Sequence, residues 1–227
     1  MTAPQYYPDL KTITLNQFKE RLITIRLLSS QQLLLDDIDE RFSCLVQHGI
    51  TNLEQLQRAI KTKSDVQAFA ALTGLPFEYL VVLRRQVNGI RPKPIDLKDF
   101  PGVNMVVIHK LEKIGIRNTA QLFPYVLTPQ DRTEFSDRNQ IPPADLLQLT
   151  KLTDVARLKW AGPIFARLLV ASEYDTVEKI LNANVEELYH ALVQTNAAKG
   201  IYNGKFKPED LETWVDTVRD TPLVIQY

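Results

Sequence analysis

Several residue types are scarce in this chain of 227 residues, and each scarcity excludes a class of structure. Cys44 is the single cysteine, so no disulfide can form within the chain. The 8 glycines are too few for a fold built on glycine-rich hairpins. No apolar run is long enough to cross a bilayer or to serve as a signal sequence. The expectation is therefore a cytoplasmic protein with no membrane partner.

A net charge is also missing from the chain. Lys and Arg together number 27, and Asp and Glu together also number 27. The field of the whole molecule therefore does not favour nucleic acid or an anionic membrane, and any attraction to a polyanion has to be local. The apolar content of 44% is sufficient for a sizeable core in a chain of this length.

The motifs of catalysis are missing as well. His48, His109 and His190 are scattered, and no His, Cys or carboxylate group has the spacing of a metal site. There is no phosphate loop, nucleophile elbow or dinucleotide fingerprint. The acidic residues within Asp36–Glu40 would suit a two-metal nuclease, but carboxylates at a helix start more often interact with the helix dipole. We expect no enzymatic activity, no cofactor, no metal and no small-molecule substrate.

The sequence does contain an internal repeat. His48–Leu56 recurs as Ile114–Leu122, 66 residues later, and in weaker form as Ser172–Ile180, a further 58 residues later. The first offset holds without a gap for the rest of the repeated segment. The third copy loses its register at 196–205, where we expect an inserted loop. Such a repetition defines the folding unit before other features are considered.

Helix signals recur at matching places in the copies. Thr14 and Gln17 predict a capping box at the start of a first amphipathic helix. Asn52 and Asn118 occupy equivalent cap positions, and Gly74 marks a helix end. No alternating strand pattern occurs, so we expect an all-α fold with about four short helices per repeat. The apolar residues that predict the buried stripe of the first helix are Phe18, Leu22, Ile25 and Leu28.

Domain boundaries follow from the repeat and from the prolines. Arg91-Pro92-Lys93-Pro94 is the clearest linker, because two prolines in four residues stiffen the chain. Repeats of this size usually stack, which predicts one elongated helical body. The expected parts are a flexible N-terminal arm at 1–13, a first repeat unit with an N-terminal helix at 14–90, a second unit at 91–153, and a third unit with an inserted loop and a C-terminal helix at 154–227.

The residues just ahead of the second and third copies resemble a helix-hairpin-helix motif. In that motif, two glycines let successive backbone amides and the following helix N-terminus face a phosphate. By the repeat offset, Gly102 lies opposite Trp160 and Asn104 lies opposite Gly162, so each copy keeps one glycine of the pair. In the first copy the same positions fall in the largely acidic run Asp36–Glu40, which would repel a phosphate.

With these hairpins, the chain from about Thr14 to Asp220 resembles a microbial family of domains of unknown function. That family is built from tandem helix-hairpin-helix-like units and is sometimes labelled as similar to the helical DNA-binding segment of flap endonucleases. The resemblance implies an all-α fold of three tandem degenerate repeats without a nuclease domain, and it brings no established activity. The segments that carry it are Phe100–Val103, Lys113–Ile116, Leu152–Asp154, Gly162–Leu169 and Asp175–Glu178.

The leading functional hypothesis is a non-catalytic helical interaction module that binds a protein partner or a second copy of itself. Its expected contact residues are Trp160, Gly162 and Pro163 of the third hairpin, together with the linker from Arg91 to Lys98. Tryptophan is enriched at binding hot spots, although packing of Trp160 within its own domain is the commoner arrangement. Trp214, on the last amphipathic helix, is expected in the core.

The alternative hypothesis is a sequence-independent DNA-binding protein. Eight basic and three acidic residues lie between Arg84 and Arg117, and contacts from such side chains to phosphates give salt-sensitive binding. Ordinary solvated ion pairs explain the same residues. No acidic residue occurs from Asn196 to Pro208, where aromatic rings either stack on bases or, as with Phe206, pin the loop to the core. The candidate nucleic-acid contacts are Gly102, Asn104, Arg84, Arg85, Arg91, Lys93, Lys98, Lys110, Lys113, Arg117, Lys199 and Lys205.

Overall fold

The structure is a computed structural model that describes residues 5–227. All regular secondary structure in this range is helical, which confirms the predicted all-α class. The β contacts are two isolated bridges, Thr14 with Asn52 and Asp96 with Asn118. Among the described residues, none of the helices has the length and apolar character needed to span a bilayer.

Thirteen α-helices follow one another in residues 5–227. The first five are α1 (Leu15–Thr24), α2 (Ile38–Gln47), α3 (Leu53–Ala59), α4 (Lys63–Thr73) and α5 (Phe77–Gly89). The next four are α6 (Met105–Lys113), α7 (Thr119–Leu122), α8 (Pro129–Asn139) and α9 (Pro143–Val155). The last four are α10 (Pro163–Ala171), α11 (Val177–Leu181), α12 (Val185–Lys199) and α13 (Pro208–Val218). Short 3₁₀ helices occur at Ser29–Leu34, Leu97–Asp99 and Phe123–Tyr125.

The helix starts recur at the spacing seen in the sequence. Helices α3, α4 and α5 begin at residues 53, 63 and 77, and α7, α8 and α9 begin 66 residues later, at 119, 129 and 143. Helix α11 begins a further 58 residues after α7. Backbone conformation follows the same offsets, because Gly49, Gly115 and Glu173 have φ values of 81°, 84° and 66°.

Helix α1 starts as predicted and ends earlier than its apolar stripe suggested. The Gln17 amide donates to the Thr14 hydroxyl at 3.2 Å, and the Thr14 amide donates to the Gln17 side chain at 2.8 Å. The helix stops at Thr24, and Ile25 is already extended. Three successive β-branched residues, 23–25, explain the early end, because their side chains crowd the preceding turn. The prediction that Leu28 belongs to the buried stripe is wrong, since Leu28 is exposed.

The inserted loop expected at 196–205 is shorter than predicted. Helix α12 continues through Lys199, so Asn196 is helical, and the chain leaves the helix at Gly200 with a φ of 60°. Glycine adopts this left-handed conformation without a steric penalty, which is why helices often stop there. The loop therefore comprises residues 200–207, up to the start of α13 at Pro208.

The chain forms two compact units. One is Pro8–Arg91, and the other combines Pro92–Tyr227 with the N-terminal segment as far as Tyr7. The boundary falls within the predicted proline linker. No boundary separates the expected units 91–153 and 154–227, since their buried apolar residues form a single core cluster. A second cluster forms the core of the Pro8–Arg91 unit, so the buried residues make two cores where one stacked body was expected.

The expected N-terminal arm, 1–13, lies partly outside the described residues. From residue 5 on, the segment contributes core side chains. Tyr6 is buried, and its hydroxyl donates to the Thr119 hydroxyl at 2.7 Å. This burial raises the pKa of Tyr6. Leu10 is fully buried in the core of the Pro8–Arg91 unit. The buried side chains of Tyr6 and Leu10 therefore hold this segment in place.

Candidate functional site

Trp160 lies in the corner between α9 and α10, residues 156–162. Its side chain is 49% exposed, so the interpretation that it packs within its own domain is wrong. Its φ is 67°, a left-handed value that is unfavourable for a bulky residue and easy for glycine. Gly102, the residue opposite it by the repeat offset, has a φ of 75°. The α9–α10 corner therefore exposes a tryptophan in a conformation suited to glycine.

Contacts from the core hold the backbone of this corner in place. The Trp214 indole donates to the Lys159 carbonyl at 2.7 Å, and the Gly162 amide donates to the Trp160 carbonyl at 2.9 Å. Trp214 is 4% exposed, which confirms its predicted place in the core. The Lys159 ammonium lies 4.6 Å from the centroid of the Trp160 ring, a cation–π contact on one ring face.

A groove of about 420 Å³ opens beside Trp160 and is the candidate site of the molecule. Its wall is largely aromatic and aliphatic, and the loop 200–207 together with α10 and α13 supplies it. Volumes of this order are typical of ligand pockets. The large side chains that define this surface, called the Trp160 groove below, are Trp160, Ile164, Phe165, Tyr202, Phe206 and Trp214.

Two contacts fix the loop that forms one wall of the Trp160 groove. The Asn196 side chain accepts from the Tyr202 amide and donates to the Tyr202 carbonyl, both at 2.7 Å. Phe206 packs against the core, with its ring centroid 6.1 Å from that of Phe165, which confirms the prediction that it pins the loop. The aromatic rings of the loop are thus packed on other rings. Lys199 and Lys205 are exposed and form no ion pair with any described residue.

Gly162 and Pro163 lie at the edge of the groove, where α10 begins. Gly162 is the N-cap with an extended backbone, and Pro163 is the first helical residue. Proline is favoured there because its missing amide proton would have no helical acceptor. A Cβ at Gly162 would meet no atom within 4 Å, so the fold itself does not require glycine at this position.

The corner before α6, residues 100–104, carries Gly102 and Asn104. The Asn104 side chain caps α6 by accepting from the Val106 amide at 3.1 Å, and it donates to Asp145 at 3.0 Å. Gly102 is exposed, and two guanidinium nitrogens of Arg167 lie 3.7 Å from the place of a Cβ at Gly102. Arg167 is half-buried, and no described residue bonds or pairs with it.

The basic residues predicted as a cluster between Arg84 and Arg117 are divided between the two units. Several of them bond the chain's own carbonyl groups: Arg84 donates to Lys61 at 2.9 Å, and Lys110 donates to Gln140 at 2.5 Å. Arg84, Arg85 and Arg91 belong to the Pro8–Arg91 unit, whereas Lys93, Lys98, Lys110, Lys113 and Arg117 belong to the other. Those that are exposed are Arg85, Lys93, Lys98, Lys113 and Arg117.

Sequence reasoning missed several residues that this site brings together. Ile164, Phe165 and Arg167 enter the sequence analysis only through the family resemblance, and Tyr202 enters it only as a loop aromatic that stacks on bases in the DNA-binding hypothesis. Ile164 is 46% exposed, next to Trp160 in the groove. Residues 164 and 167 are three apart on α10 and therefore share one helix face. This spacing is the one feature of the sequence that could have placed Arg167 near the groove.

Buried charge in the Pro92–Tyr227 unit serves the fold. Asp154 and Arg157 are almost fully buried and pair at 2.7 Å, and the other Asp154 oxygen accepts from the Val177 amide at 3.0 Å. In the other unit, Asp39 of the acidic run pairs with Lys19 at 2.8 Å. Across the described residues, no group of three or more His, Cys, Asp or Glu side chains is arranged to hold a metal ion.

Comparison with known proteins gives one match. A family model described as "Domain of unknown function (DUF4332)" matches residues 101–220, slightly more than half of the chain. The matched stretch includes Gly102, Trp160 and the whole Trp160 groove. No curated protein and no solved structure matches the chain.

Proposed function

Since the chain belongs to the DUF4332 family, whose description names no activity, we propose a function from its own surface: a non-catalytic helical interaction module. The module binds a protein partner, or a second copy of itself, through the Trp160 groove. The observation that carries this proposal is a half-exposed tryptophan beside an apolar groove. Tryptophan at the edge of a pocket is the typical anchor of a binding hot spot.

The backbone at Trp160 supports the same proposal. A tryptophan with a left-handed φ costs folding free energy that glycine would avoid, and such strain concentrates at functional sites. The side chain gains little burial in return, because half of it faces solvent. Binding of a partner accounts for a bulky residue at this place.

We also propose that the chain consists of three degenerate helix-hairpin-helix-like units. The common offsets of helix starts and of left-handed residues support this division. The first unit corresponds to the compact Pro8–Arg91 unit, and the other two share the second core. In the third unit, Trp160 occupies the place of a phosphate-facing glycine, which fits a corner that has exchanged phosphate binding for apolar contact.

The test of the interaction module compares wild type with Trp160→Ala. Affinity capture with the full chain identifies bound proteins, and light scattering over a concentration series gives the oligomer size. We expect Trp160→Ala to lose specific partners or to reduce self-association. Leu72→Ala, which removes an exposed apolar side chain in the Pro8–Arg91 unit, is the matched control. Identical partners and identical oligomer size for wild type and Trp160→Ala would rule out the Trp160 anchor.

Sequence-independent DNA binding is the second candidate function. The observation in its favour is the exposed Gly102 corner, where the Arg167 guanidinium lies close to the backbone without a protein partner. Backbone amides at such a corner and a nearby arginine are the groups that hold a phosphate.

Mobility shift across a salt series tests this second function. A complex held by phosphate contacts weakens steeply as salt rises. Arg167→Gln should weaken it further, whereas Trp160→Ala should not. DNA binding at this corner would be excluded if no complex forms even at low salt. It would also be excluded if neither Arg167→Gln nor the joint change of Lys98, Lys113 and Arg117 to Glu alters the affinity for DNA.

A further inference from the structure

We propose that the ligand of the Trp160 groove is an acidic peptide segment with an aromatic or large aliphatic anchor residue. The anchor enters the groove beside Trp160, and carboxylates on either side of it face cations at the rim. This inference rests on the proposed interaction module and specifies the chemistry of its partner. Lys159, Arg167 and Lys205 are the rim cations, each adjacent in sequence to a residue of the groove lining or one helical turn from it.

Arg167 is the first reason to expect a carboxylate. Its guanidinium is half-buried, and no described residue bonds or pairs with it. A charged group that has lost part of its hydration without gaining a partner is unfavourable, and a carboxylate that forms two parallel hydrogen bonds is its best complement. Arg167 lies one turn beyond Ile164 on α10, and Ile164 lines the groove. A peptide anchored in the groove therefore brings its flanking residues to Arg167.

The other two rim cations are sequence neighbours of groove residues. Lys205 directly precedes Phe206 of the groove wall and is exposed without an ion pair. Lys159 covers one face of the Trp160 ring with its ammonium at 4.6 Å. An ammonium in this position neighbours any ligand that contacts the indole, and it favours an anionic ligand over a cationic one.

Negative charge at the groove is limited. Asp210 is the one carboxylate of the lining, and one of its oxygens already accepts from the Lys207 amide at 2.9 Å as part of the cap of α13. From Asn196 to Pro208 the chain has no acidic residue at all. Arg167 and Lys205, with which no described residue pairs, thus stand near an apolar groove whose lining has one carboxylate, and this is the complement of an acidic peptide with an apolar anchor.

The aromatic geometry favours a peptide over a nucleic acid strand. Base stacking needs rings that stand free along a cationic track. Here the Phe165 centroid lies 5.3 Å from that of Trp214 and 5.8 Å from that of Tyr202, so these rings pack on each other. Among the groove rings, Trp160 alone is about half exposed, and Lys159 already covers one of its faces. The rings therefore do not form a track for successive bases, and the groove instead offers a single cleft for one side chain of a peptide.

Selection from a display library of random short peptides against the full chain tests the proposal. We expect the selected peptides to carry Asp or Glu next to one aromatic or large aliphatic residue. Synthetic versions are then titrated by fluorescence anisotropy. Replacing the anchor by alanine, or the acidic residues by their amides, should weaken binding at least tenfold. Trp160→Ala should have the same effect, and Arg167→Gln and Lys205→Gln should each weaken binding several-fold.

Gly204→Ala is a second variant that leaves every charge and Trp160 in place. A Cβ at Gly204 would stand 2.4–2.6 Å from atoms of the Tyr202 ring, so the ring has to move out of its place in the groove wall. We expect this variant to bind the selected peptides more weakly than wild type, while its circular dichroism spectrum stays unchanged. The matched controls are Leu72→Ala for the apolar change and Arg138→Gln for the loss of an exposed arginine, and neither should alter the affinity.

Each unfavourable outcome has a defined meaning. Selected peptides that are neutral or basic but depend on Trp160 would overturn the acidic chemistry and leave the interaction module standing. Absence of any selected peptide, or peptides indifferent to Trp160→Ala, would overturn the acidic-peptide proposal, and the capture and light-scattering comparison of wild type with Trp160→Ala then decides the interaction module separately. A DNA single strand or duplex that displaces the peptides and itself depends on Arg167 but not on Trp160 would assign the rim cations to nucleic acid, and the proposal would fail.

Discussion

Trp160 has a φ of 67° in a corner where its repeat counterpart is Gly102, with a φ of 75°. This pairing separates the needs of the backbone from those of the side chain. The α9–α10 corner folds with a conformation that glycine adopts without strain, whereas the proposed role as a binding anchor accounts for a tryptophan there. At the scale of the residue, stability and this proposed role therefore favour different amino acids at one position.

The first prediction concerns this strain. Trp160→Gly should be more stable than Trp160→Ala by about 1 kcal/mol, because relief of a left-handed conformation is worth about 1–2 kcal/mol and the added freedom of the unfolded chain offsets about 0.4–1 kcal/mol. Urea unfolding followed by circular dichroism measures the difference. Both variants lack the indole, so the loss of its contacts affects them equally and cancels in the difference between their free energies of unfolding. An alanine variant as stable as the glycine variant would show that the corner is not strained.

The second prediction concerns Asp175 and acid stability. Burial acts to raise the pKa of Asp175, but hydrogen bonds from Lys151 at 2.5 Å and Lys179 at 2.8 Å outweigh it, and the pKa is lowered. A carboxyl group with a lowered folded-state pKa binds fewer protons when folded, so its stabilisation is complete above the unfolded pKa of about 3.9 and disappears as the pH falls through the folded value.

Asp175→Asn removes this contribution. We expect the stability difference between wild type and Asp175→Asn to be constant above about pH 5 and to shrink as the pH falls below about 4. Urea midpoints at a series of pH values measure it. Asp99→Asn, at an exposed position, is the control and should show no such trend. A difference that grows on acidification would mean that the ion pairs do not lower this pKa.

At the scale of the element, the C-terminal segment 222–227 holds other elements together. The Gln226 amide donates to the Leu127 carbonyl at 2.7 Å, and the Pro222 carbonyl accepts from the buried Arg157 guanidinium at 2.9 Å. The Tyr227 hydroxyl donates to Asp154 at 3.3 Å, and burial raises the pKa of this hydroxyl. Arg157 already has one buried nitrogen without a hydrogen-bond partner among the described residues. The segment thus supplies further hydrogen bonds to the buried pair of Asp154 and Arg157, whose polar groups are not all paired within the described residues.

The third prediction follows from this role. Deletion of residues 222–227 should destabilise the Pro92–Tyr227 unit by about 2–3 kcal/mol, because buried donors lose their acceptors. Hydrogen exchange should rise in α8 and α9 and stay unchanged in the Pro8–Arg91 unit. Leu223→Ala, which alters an exposed side chain of the same segment, is the control. Unchanged exchange in α9 after the deletion would contradict the structural role of the segment.

At the scale of the whole molecule, the two cores are the main organising feature. The core of the Pro8–Arg91 unit is built from its own residues alone, and its buried apolar side chains range from Leu10 to Val87. Its chain ends are linked, since the Arg91 guanidinium donates to the Pro8 carbonyl at 3.1 Å. A unit with its own core and joined ends has what independent folding requires.

The fourth prediction is that residues 8–91 fold alone. A fragment of this size buries enough apolar surface for marginal but cooperative stability. We expect a helical circular dichroism spectrum and a single urea transition. The complementary fragment 92–227 lacks the buried Tyr6, so it should be less stable than a version that retains residues 5–7 through a short flexible linker. A fragment 8–91 without helical signal would show that the two cores are not independent.

Local features were predictable because they depend on near neighbours in the chain. The caps at Thr14, Asn52 and Asn118 are present as predicted. The end of α1 and the continuation of α12 were not predicted, since each depends on competition between weak local preferences. The sequence left open whether Trp160 is exposed or packed within its own domain. Which face of a corner is covered depends on the packing of helices that are distant in sequence.

The sequence by itself determined the helical class, the position of several helix starts and the spacing at which they recur, because hydrogen-bonded turns and caps involve residues a few positions apart. Only the tertiary structure decided that the buried residues divide into two cores. It also decided that a loop, α10 and α13 form a groove beside Trp160, and that Arg167 lies near Gly102 with no partner among residues 5–227. These are contacts between segments far apart in the chain, and burial creates them only when the whole core has formed.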